Sequence, residues 1–243
     1  MNWLRSIIFV TWFYATMAFW GLIFIPAVAS GHERSIWRAM RGWSGATVWG
    51  LRWIMGVTIS IEGLQHLPKG AALIASKHQT TLDTVLPARI FDEPVFVVKQ
   101  ELTKMPIFGF YMKYGMIPVD REAHAKALKD MLRAARVSIA KGRQIVIYPE
   151  GTRQPLGAPP DYKPGIAALY KDLGLPVTPI ALNTGLVWRP SGILRNPGHV
   201  VIKILPPIPP GLPREEFMRE LERVIETESE ALLPPEKRRS VAS

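Results

Sequence analysis

The spacing of apolar and polar positions changes character twice along this chain, and each change marks a different kind of structure. From Ser6 to Gly31 there is no charged residue: "SIIFVTWFYATMAFWGLIFIPAVASG". The apolar core from Ile7 to Ala29 predicts a helix about 34 Å long at about 1.5 Å per residue, enough to cross a bilayer core of about 30 Å. A signal peptide and a buried helix of a soluble protein compete with a membrane span. "AVA" at 27–29 looks like a cleavage site, but the apolar region of a signal peptide runs to only about 7–15 residues. Against the buried helix, Trp12, Phe13, Phe19 and Trp20 suit lipid or an interface better.

The following segment, "ERSIWRAMRGWSGATVWGLRWIMG", reads as another kind of helix. Arg34, Arg38, Arg41 and Arg52 alternate with Ile36, Trp37, Met40, Trp43, Trp49 and Trp53. Cations for lipid phosphates and indoles for the headgroup layer are what an interfacial helix needs. An ordinary surface helix with its tryptophans packed inward is the alternative. Within it, "GWSGA" at 42–46 nearly matches the G-x-S-x-G nucleophile elbow, which must sit on a strand-to-helix turn. A Trp/Arg helix is the wrong setting, so Ser44 is set aside as a nucleophile.

Beyond Gly56 the period drops to that of strands. "VTISIEG", "AALIASK", "VFVVK", "GMIPVD", "QIVIYP", "VTPIAL" and "HVVIKIL" are short, branched and bounded by Gly, Pro or polar residues. Helical patterns lie between them. In "EAHAKALKDMLRAARVSIAKG" Leu128, Leu132, Ala135 and Ile139 share one face and Gly142 stops the helix; "REEFMRELERVIETESEALL" is amphipathic and ends at Pro. The alternation predicts an α/β fold, a mostly parallel or mixed sheet covered by helices, with an N-terminal membrane-associated helical segment. The expected division is membrane-anchoring helices over 1–56 and an α/β domain over 57–243.

Composition narrows the chemistry. The 243 residues contain no cysteine, so disulfides, thiolate–zinc sites and cysteine nucleophiles are excluded. The five histidines show no metal-binding spacing such as H-E-x-x-H, and neither a metal nor a cofactor is expected. A net charge of +10 implies an anionic partner. No basic block is interleaved with aromatics as in RNA-binding segments, so membrane lipids and phosphorylated substrates are expected rather than nucleic acid. Because Arg34, Arg38 and Arg41 outnumber Arg5, the downstream domain is expected on the cytoplasmic face of the cell (inner) membrane.

Polar clusters follow the predicted strands, where chemistry sits in such sheets. "KHQTTLD" (77–83) follows "AALIAS", "DR" (120–121) follows "GMIPV", and "EGTR" (150–153) follows "QIVIYP". Alone, a histidine five residues before an aspartate says little. Together these blocks resemble the glycerolipid acyltransferase family over most of the chain from about Ser60 to Leu205. The family's H-x-x-x-x-D core appears as "KHQTTLD", its later blocks as "GMIPVDR", "YPEGTR" and "VTPIAL" around Pro179, and its lysine-bearing block as "KQELTKMPIFG". Lys77 replaces the usual Asn, Thr80 replaces Ser while keeping the hydroxyl, and Pro118 stands where Phe is common.

The resemblance implies a direct acyl transfer, from the thioester of acyl-CoA or acyl carrier protein to the free hydroxyl of a lysophosphatidic acid, giving phosphatidic acid. A neutral imidazole, His78, can remove the hydroxyl proton, and Asp83 can fix its tautomer and stabilise the imidazolium. This is triad logic with the substrate's own hydroxyl as nucleophile. The resemblance places Lys104, Arg121 and Arg153 near the acceptor's phosphate, with Glu150, Gly151 and Thr152 in the same turn and Glu150 able to orient an arginine or a substrate hydroxyl. Another lysolipid acceptor (a lyso-aminolipid or lysoglycolipid) and a non-catalytic lipid-binding protein remain as alternatives; a lipase lacks a plausible nucleophile elbow.

Overall fold

A computed structural model describes residues 2–105, 108–120 and 124–238. Every predicted strand run forms a strand: β1 Val57–Glu62, β2 Ala72–Ser76, β3 Pro94–Lys99, β4 Ile117–Val119, β5 Gln144–Ile147, β6 Val177–Leu182 and β7 Gly198–Ile204. They make one seven-stranded mixed sheet in the order β1-β7-β6-β2-β5-β3-β4. β2 lies between β5 and β6, parallel to both; β3 joins β5 and β4 in parallel, β1 runs parallel to β7, and β6 and β7 are antiparallel. All of β2 is buried, as its unbroken run of small and branched residues demands of a central strand.

Side chains alternate across the sheet with period two, and so does the core. Leu73 and Ala75 of β2 and Ile145 and Ile147 of β5 pack on one face, beneath α6 (His124–Ala140), α7 (Gly165–Leu173) and α8 (Arg214–Ala231). Ile74 and Val146 point the other way, into a cluster with Leu82 of α3 (Leu82–Val85), Leu86 just before α4 (Pro87–Ile90), and Met112 of α5 (Phe108–Gly115). α8 presents Phe217, Leu221, Ile225 and Ser229 at four-residue spacing to the first cluster. α6 ends two residues before Gly142, whose φ of +77° suits a residue without Cβ.

The face of α6 differs from the expected one. Ala127, Met131 and Ala135 are the buried stripe, Leu132 and Ile139 flank it, and Leu128 is 39 % exposed. Small residues let the helix lie close to its neighbours, so the stripe turned by one position and left Leu128 outside.

The N-terminal segment is a helical hairpin, α1 (Asn2–Ala29) and α2 (Arg34–Gly50), the latter running on through a π-turn over Leu51–Met55 to Gly56 at φ +72°. Aromatic knobs fill glycine holes between the two. A Cβ at Gly42 would strike the Trp20 ring, and one at Gly50 the Trp12 ring. The indoles of Trp12 and Trp43 donate to the carbonyls of Ala46 (2.8 Å) and Phe13 (3.2 Å). The "GWSGA" stretch is therefore helix-packing surface, with Ser44 buried.

The hairpin also joins both cores: Phe9 and Phe13 enter one cluster, Val28, Ile36 and Trp37 the other. The α2 tryptophans divide accordingly. Trp37 is 2 % exposed, donates to the carbonyl of Pro94 at 3.0 Å and carries the Arg143 guanidinium over its ring. Trp49 and Trp53 are 50 % and 69 % exposed, near the basic Arg52. Inward packing holds for the first half of the segment and an outward Trp/Arg face for the second. α1 is long and apolar enough to cross a membrane, and only 17 % of its most apolar window is buried.

Candidate active site

β2 ends at Ser76, and the chain beyond it turns into α3 through "KHQTT". That turn is organised around one carboxylate. Asp83 Oδ2 accepts the backbone N–H groups of Gln79 (2.6 Å) and Thr80 (2.7 Å), and its Oδ1 accepts the hydroxyls of Thr184 (2.5 Å) and Thr80 (3.3 Å). The Thr80 hydroxyl in turn accepts the N–H of Leu82 at 3.0 Å. His78 Nδ1 stands 3.2 Å from the same Oδ2. An oxygen that already receives two N–H groups is an acceptor, so Nδ1 carries the ring proton and Nε2 is left with its lone pair. Nε2 makes no hydrogen bond among the described residues.

Tyr148, one residue past β5, backs the imidazole. Its ring stacks on His78 with centroids 4.1 Å apart, and its hydroxyl donates to the carbonyl of Asp83 at 2.7 Å. Burial, with a smaller contribution from Asp83, pushes the Tyr148 phenol up, so it remains a neutral donor. The imidazole is thus tethered through Nδ1 and stacked on Tyr148, and the side chain keeps 13 % exposure. An imidazole with a fixed tautomer and an open Nε2 has the geometry that general-base chemistry needs.

The neighbouring Lys77 faces the opposite way. Its ammonium lies 2.6 Å from Glu150 Oε1 and 2.6 Å from Glu226 Oε1 on α8, and Tyr162 donates to Glu226 at 3.1 Å. Glu150 Oε2 accepts the backbone N–H of His78 at 2.9 Å. Burial pushes the Glu150 carboxyl up, with Lys77 acting against it. Glu150 is 1 % exposed and spends both oxygens inside the protein. Among the described residues it holds the main chain of the histidine and the Lys77 ammonium, because the turn after β5 buries it.

The remaining expected residues are spread along the strand ends. Gly151 turns at φ +67° and its N–H bonds the Tyr148 carbonyl, which brings the backbone round beside His78. Thr152 and Arg153 are exposed on that turn, and Arg153 Nη1 donates to the Thr81 hydroxyl at 3.0 Å. Gln154 N–H closes the loop onto the His78 carbonyl at 2.8 Å. Pro179 sits inside β6 opposite Ala75, buried, so it shapes the sheet beneath the site. Lys104 ends an exposed turn over Gln100–Lys104 after β3. Arg121 lies outside the described residues.

Thr184, Tyr148 and Glu226 were not anticipated. Thr184 had a findable signal, a polar pair "NT" directly after an apolar strand, as at the other site loops. Glu226 had none, being one glutamate among several on an amphipathic helix.

A cavity of about 240 Å³ opens beside this site, sharing Thr81 and Arg153 with it and walled by α1 and the segment from Trp188 to Arg195. Among the described residues no group of histidines and carboxylates is placed to hold a metal ion.

A family model described as Acyltransferase matches residues 58–183, which contain the whole His78–Asp83 and 150–153 assembly. The chain is 31 % identical over 206 residues to a 1-acyl-sn-glycerol-3-phosphate acyltransferase of Pseudomonas aeruginosa, covering 84 % of this chain and 80 % of the relative. It is 33 % identical over 159 residues to a 1-acyl-sn-glycerol-3-phosphate acyltransferase of Limnanthes douglasii, covering 64 % of this chain and 56 % of that one. The crystal structure of the 1-acyl-sn-glycerophosphate (LPA) acyltransferase, PlsC, from Thermotoga maritima superposes with a TM-score of 0.77 at 22 % identity, over 96 % of this chain and 99 % of that one. That last likeness is one of fold.

Proposed function

This chain belongs to the acyltransferase family, and from that premise we propose that its site acylates the free hydroxyl of 1-acyl-sn-glycerol 3-phosphate, giving phosphatidic acid. It is an enzyme of lipid synthesis, and α1 associates it with a membrane. The observation that carries the reaction is the His78–Asp83 pair with Nε2 open and Arg153 at its mouth.

The step follows from those positions. The acceptor's hydroxyl oxygen attacks the carbonyl carbon of an acyl thioester while His78 Nε2 takes the hydroxyl proton. The imidazolium is stabilised by Asp83 through Nδ1–H. Collapse of the tetrahedral intermediate breaks the carbon–sulfur bond, and the thiolate recovers the proton from Nε2. Ester and thiol are formed, and the histidine returns to its starting state. No acyl-enzyme is required, since the nucleophile arrives with the substrate.

Arg153 suits the acceptor's phosphate monoester, because a guanidinium bonds phosphate oxygens in pairs. The thioester is that of coenzyme A or of acyl carrier protein. A cytoplasmic face for the sheet domain is supported by Arg34, Arg38 and Arg41 after α1, which outnumber Arg5 before it.

The test is an acyl-transfer assay of the full chain in mixed micelles with both thioesters. The acceptors offered are lysophosphatidate, a lyso-aminolipid, a lysoglycolipid and monoacylglycerol. Preference for the phosphate monoester is expected. Equal or faster turnover of an acceptor without the monoester overturns the assignment.

A further inference from the structure

Arg195 is a cation whose position the reaction described so far does not use. It is 7 % exposed, and among the described residues no carboxylate pairs with it. Its Nη1 donates to the carbonyls of Gly192 and Leu194, both at 2.9 Å, and its guanidinium lies over the Trp188 ring at 4.2 Å. Its Nε is buried with no hydrogen-bond partner. Burial pulls the group down to about 10, which still leaves it charged at neutral pH. A buried cation without a counter-charge is costly, and an unmatched buried N–H adds to that cost. Such a group is explained when an anion arrives from outside.

Arg195 lines the same cavity as Arg153 and Thr81. One wall is α1, through Phe9, Phe13 and Tyr14; the other is the Trp188–Arg195 segment. The walls are fastened together. Ser6 Oγ accepts the Arg195 backbone N–H at 2.9 Å, and the Trp188 ring meets Phe9 and Phe13 edge-on at 5.5 and 5.3 Å. The cavity is therefore lined by apolar rings with a guanidinium at two places, a lining for an amphiphile with a strongly anionic head. Its volume of about 240 Å³ is too small for a whole acylglycerol phosphate. The hydrocarbon must leave it, and the adjoining surface of α1, with Ile7, Tyr14 and Leu4 exposed, is apolar.

We propose that this cavity is the binding site of the acceptor's phosphate monoester, held between Arg153 and Arg195, with the acyl chain leaving along α1. The proposal rests on the reading of the acceptor above and extends it: the N-terminal helix is a wall of the substrate site as well as a membrane element. Arg195 is then a specificity-determining residue, since a phosphate-free acceptor leaves two guanidiniums in the cavity unmatched.

The test separates binding from turnover. The full chain in zwitterionic micelles, with no thioester present, is titrated calorimetrically with 1-decanoyl-glycerol 3-phosphate and with 1-decanoyl-glycerol. Arg195→Gln is expected to weaken the phosphate-bearing lipid about 10–150-fold, the loss of one hydrogen bond to a charged group. Binding of the phosphate-free lipid should be unchanged by that substitution. Ile193→Trp, which narrows the cavity without touching the guanidinium or its carbonyl partners, should weaken both. In steady-state kinetics Arg195→Gln should raise KM for the acceptor and leave KM for the thioester as in the parent.

Equal losses for both lipids in Arg195→Gln would make the arginine a brace for its loop and overturn the proposal. Parent-like binding by Ile193→Trp, or tighter binding of a bilayer phosphodiester such as dioctanoyl-phosphatidylglycerol than of the monoester, overturns it as well. Should the parent bind lysophosphatidate through Arg195 yet acylate only other lysolipids, the cavity stands and the reading of the reaction falls. Should the parent acylate it while both variants behave as the parent does, the cavity alone falls.

Discussion

Lys77 and His78 are adjacent in sequence and stand on opposite faces of the sheet, and the two faces are built on opposite terms. On the Lys77 face the three charged groups nearest the turn are matched inside the protein: the ammonium takes two carboxylates, one carboxylate takes a phenol, and the other takes the His78 N–H. On the His78 face the same turn stops short of saturation. Asp83 is filled with donors, the imidazole is stacked and tethered, and Nε2 is left without a partner among the described residues. The closed side fixes the backbone from which the open side works. Rigidity and reactivity are separated by a single step of the strand pleat.

The difference predicts how each side fails. His78→Ala should reduce turnover by roughly 10²–10⁴-fold, the usual contribution of a general base. Its thermal midpoint should stay close to the parent's, because Gln79, Thr80 and Thr184 keep Asp83 and its turn in place without the imidazole. A large fall in midpoint with the same loss of rate would place His78 among the structural residues.

Lys77→Met should do the reverse and unfold the protein more readily. It leaves Glu150 and Glu226 facing each other in a buried site, which costs about 3–5 kcal/mol when one partner of such a pair is removed. Urea denaturation measures it, and Lys77→Met combined with Glu226→Gln should recover part of the loss. A Lys77→Met protein as stable as the parent would show that the two carboxylates share a proton and need no ammonium.

Tyr148→Phe lies between the two sides. It keeps the stacked ring and removes one hydrogen bond to the Asp83 carbonyl, so a loss of about 0.5–1.5 kcal/mol is expected. Turnover should fall by less than in His78→Ala.

The smallest effect on stability belongs to Trp53→Ser. Trp53 is exposed, and such substitutions usually change stability by within about 0.5 kcal/mol. Flotation with lipid vesicles should nevertheless show weaker binding. Unchanged flotation would move the membrane contact to α1 alone.

Much of this was legible beforehand for local reasons. Strands were marked by branched residues between Gly and Pro, and each formed where its pattern lay. His78 and Asp83 stood out only through the resemblance of several blocks in order, and the structure brings them within 3.2 Å on a single turn. The Leu128 face of α6 was misplaced because hydrophobicity outranks size in a periodic pattern, whereas close packing over the sheet favoured Ala127 and Ala135. The partners of Glu150 were not legible for a related reason: an "EGTR" turn shows which groups are present, and only the fold brings Lys77 and the His78 N–H to its carboxylate.

By itself the sequence determined what neighbours along the chain can settle: the strands, the ends of α6 and α8, and the absence of thiol chemistry. The tertiary structure alone decided which distant groups complete the His78–Asp83 pair. Glu226 lies 149 residues from the lysine it meets, Thr184 lies 101 from Asp83, and Arg195 lies 189 from Ser6. Contacts at that range depend on a strand order in which β2 is flanked by β5 and β6, and on a hairpin that seats α1 against the loop after β6. Periodicity specifies which face of an element is apolar, but not which other element covers it. That is set by the packing of the whole core, where Trp37 found a cavity to fill and Trp53 did not.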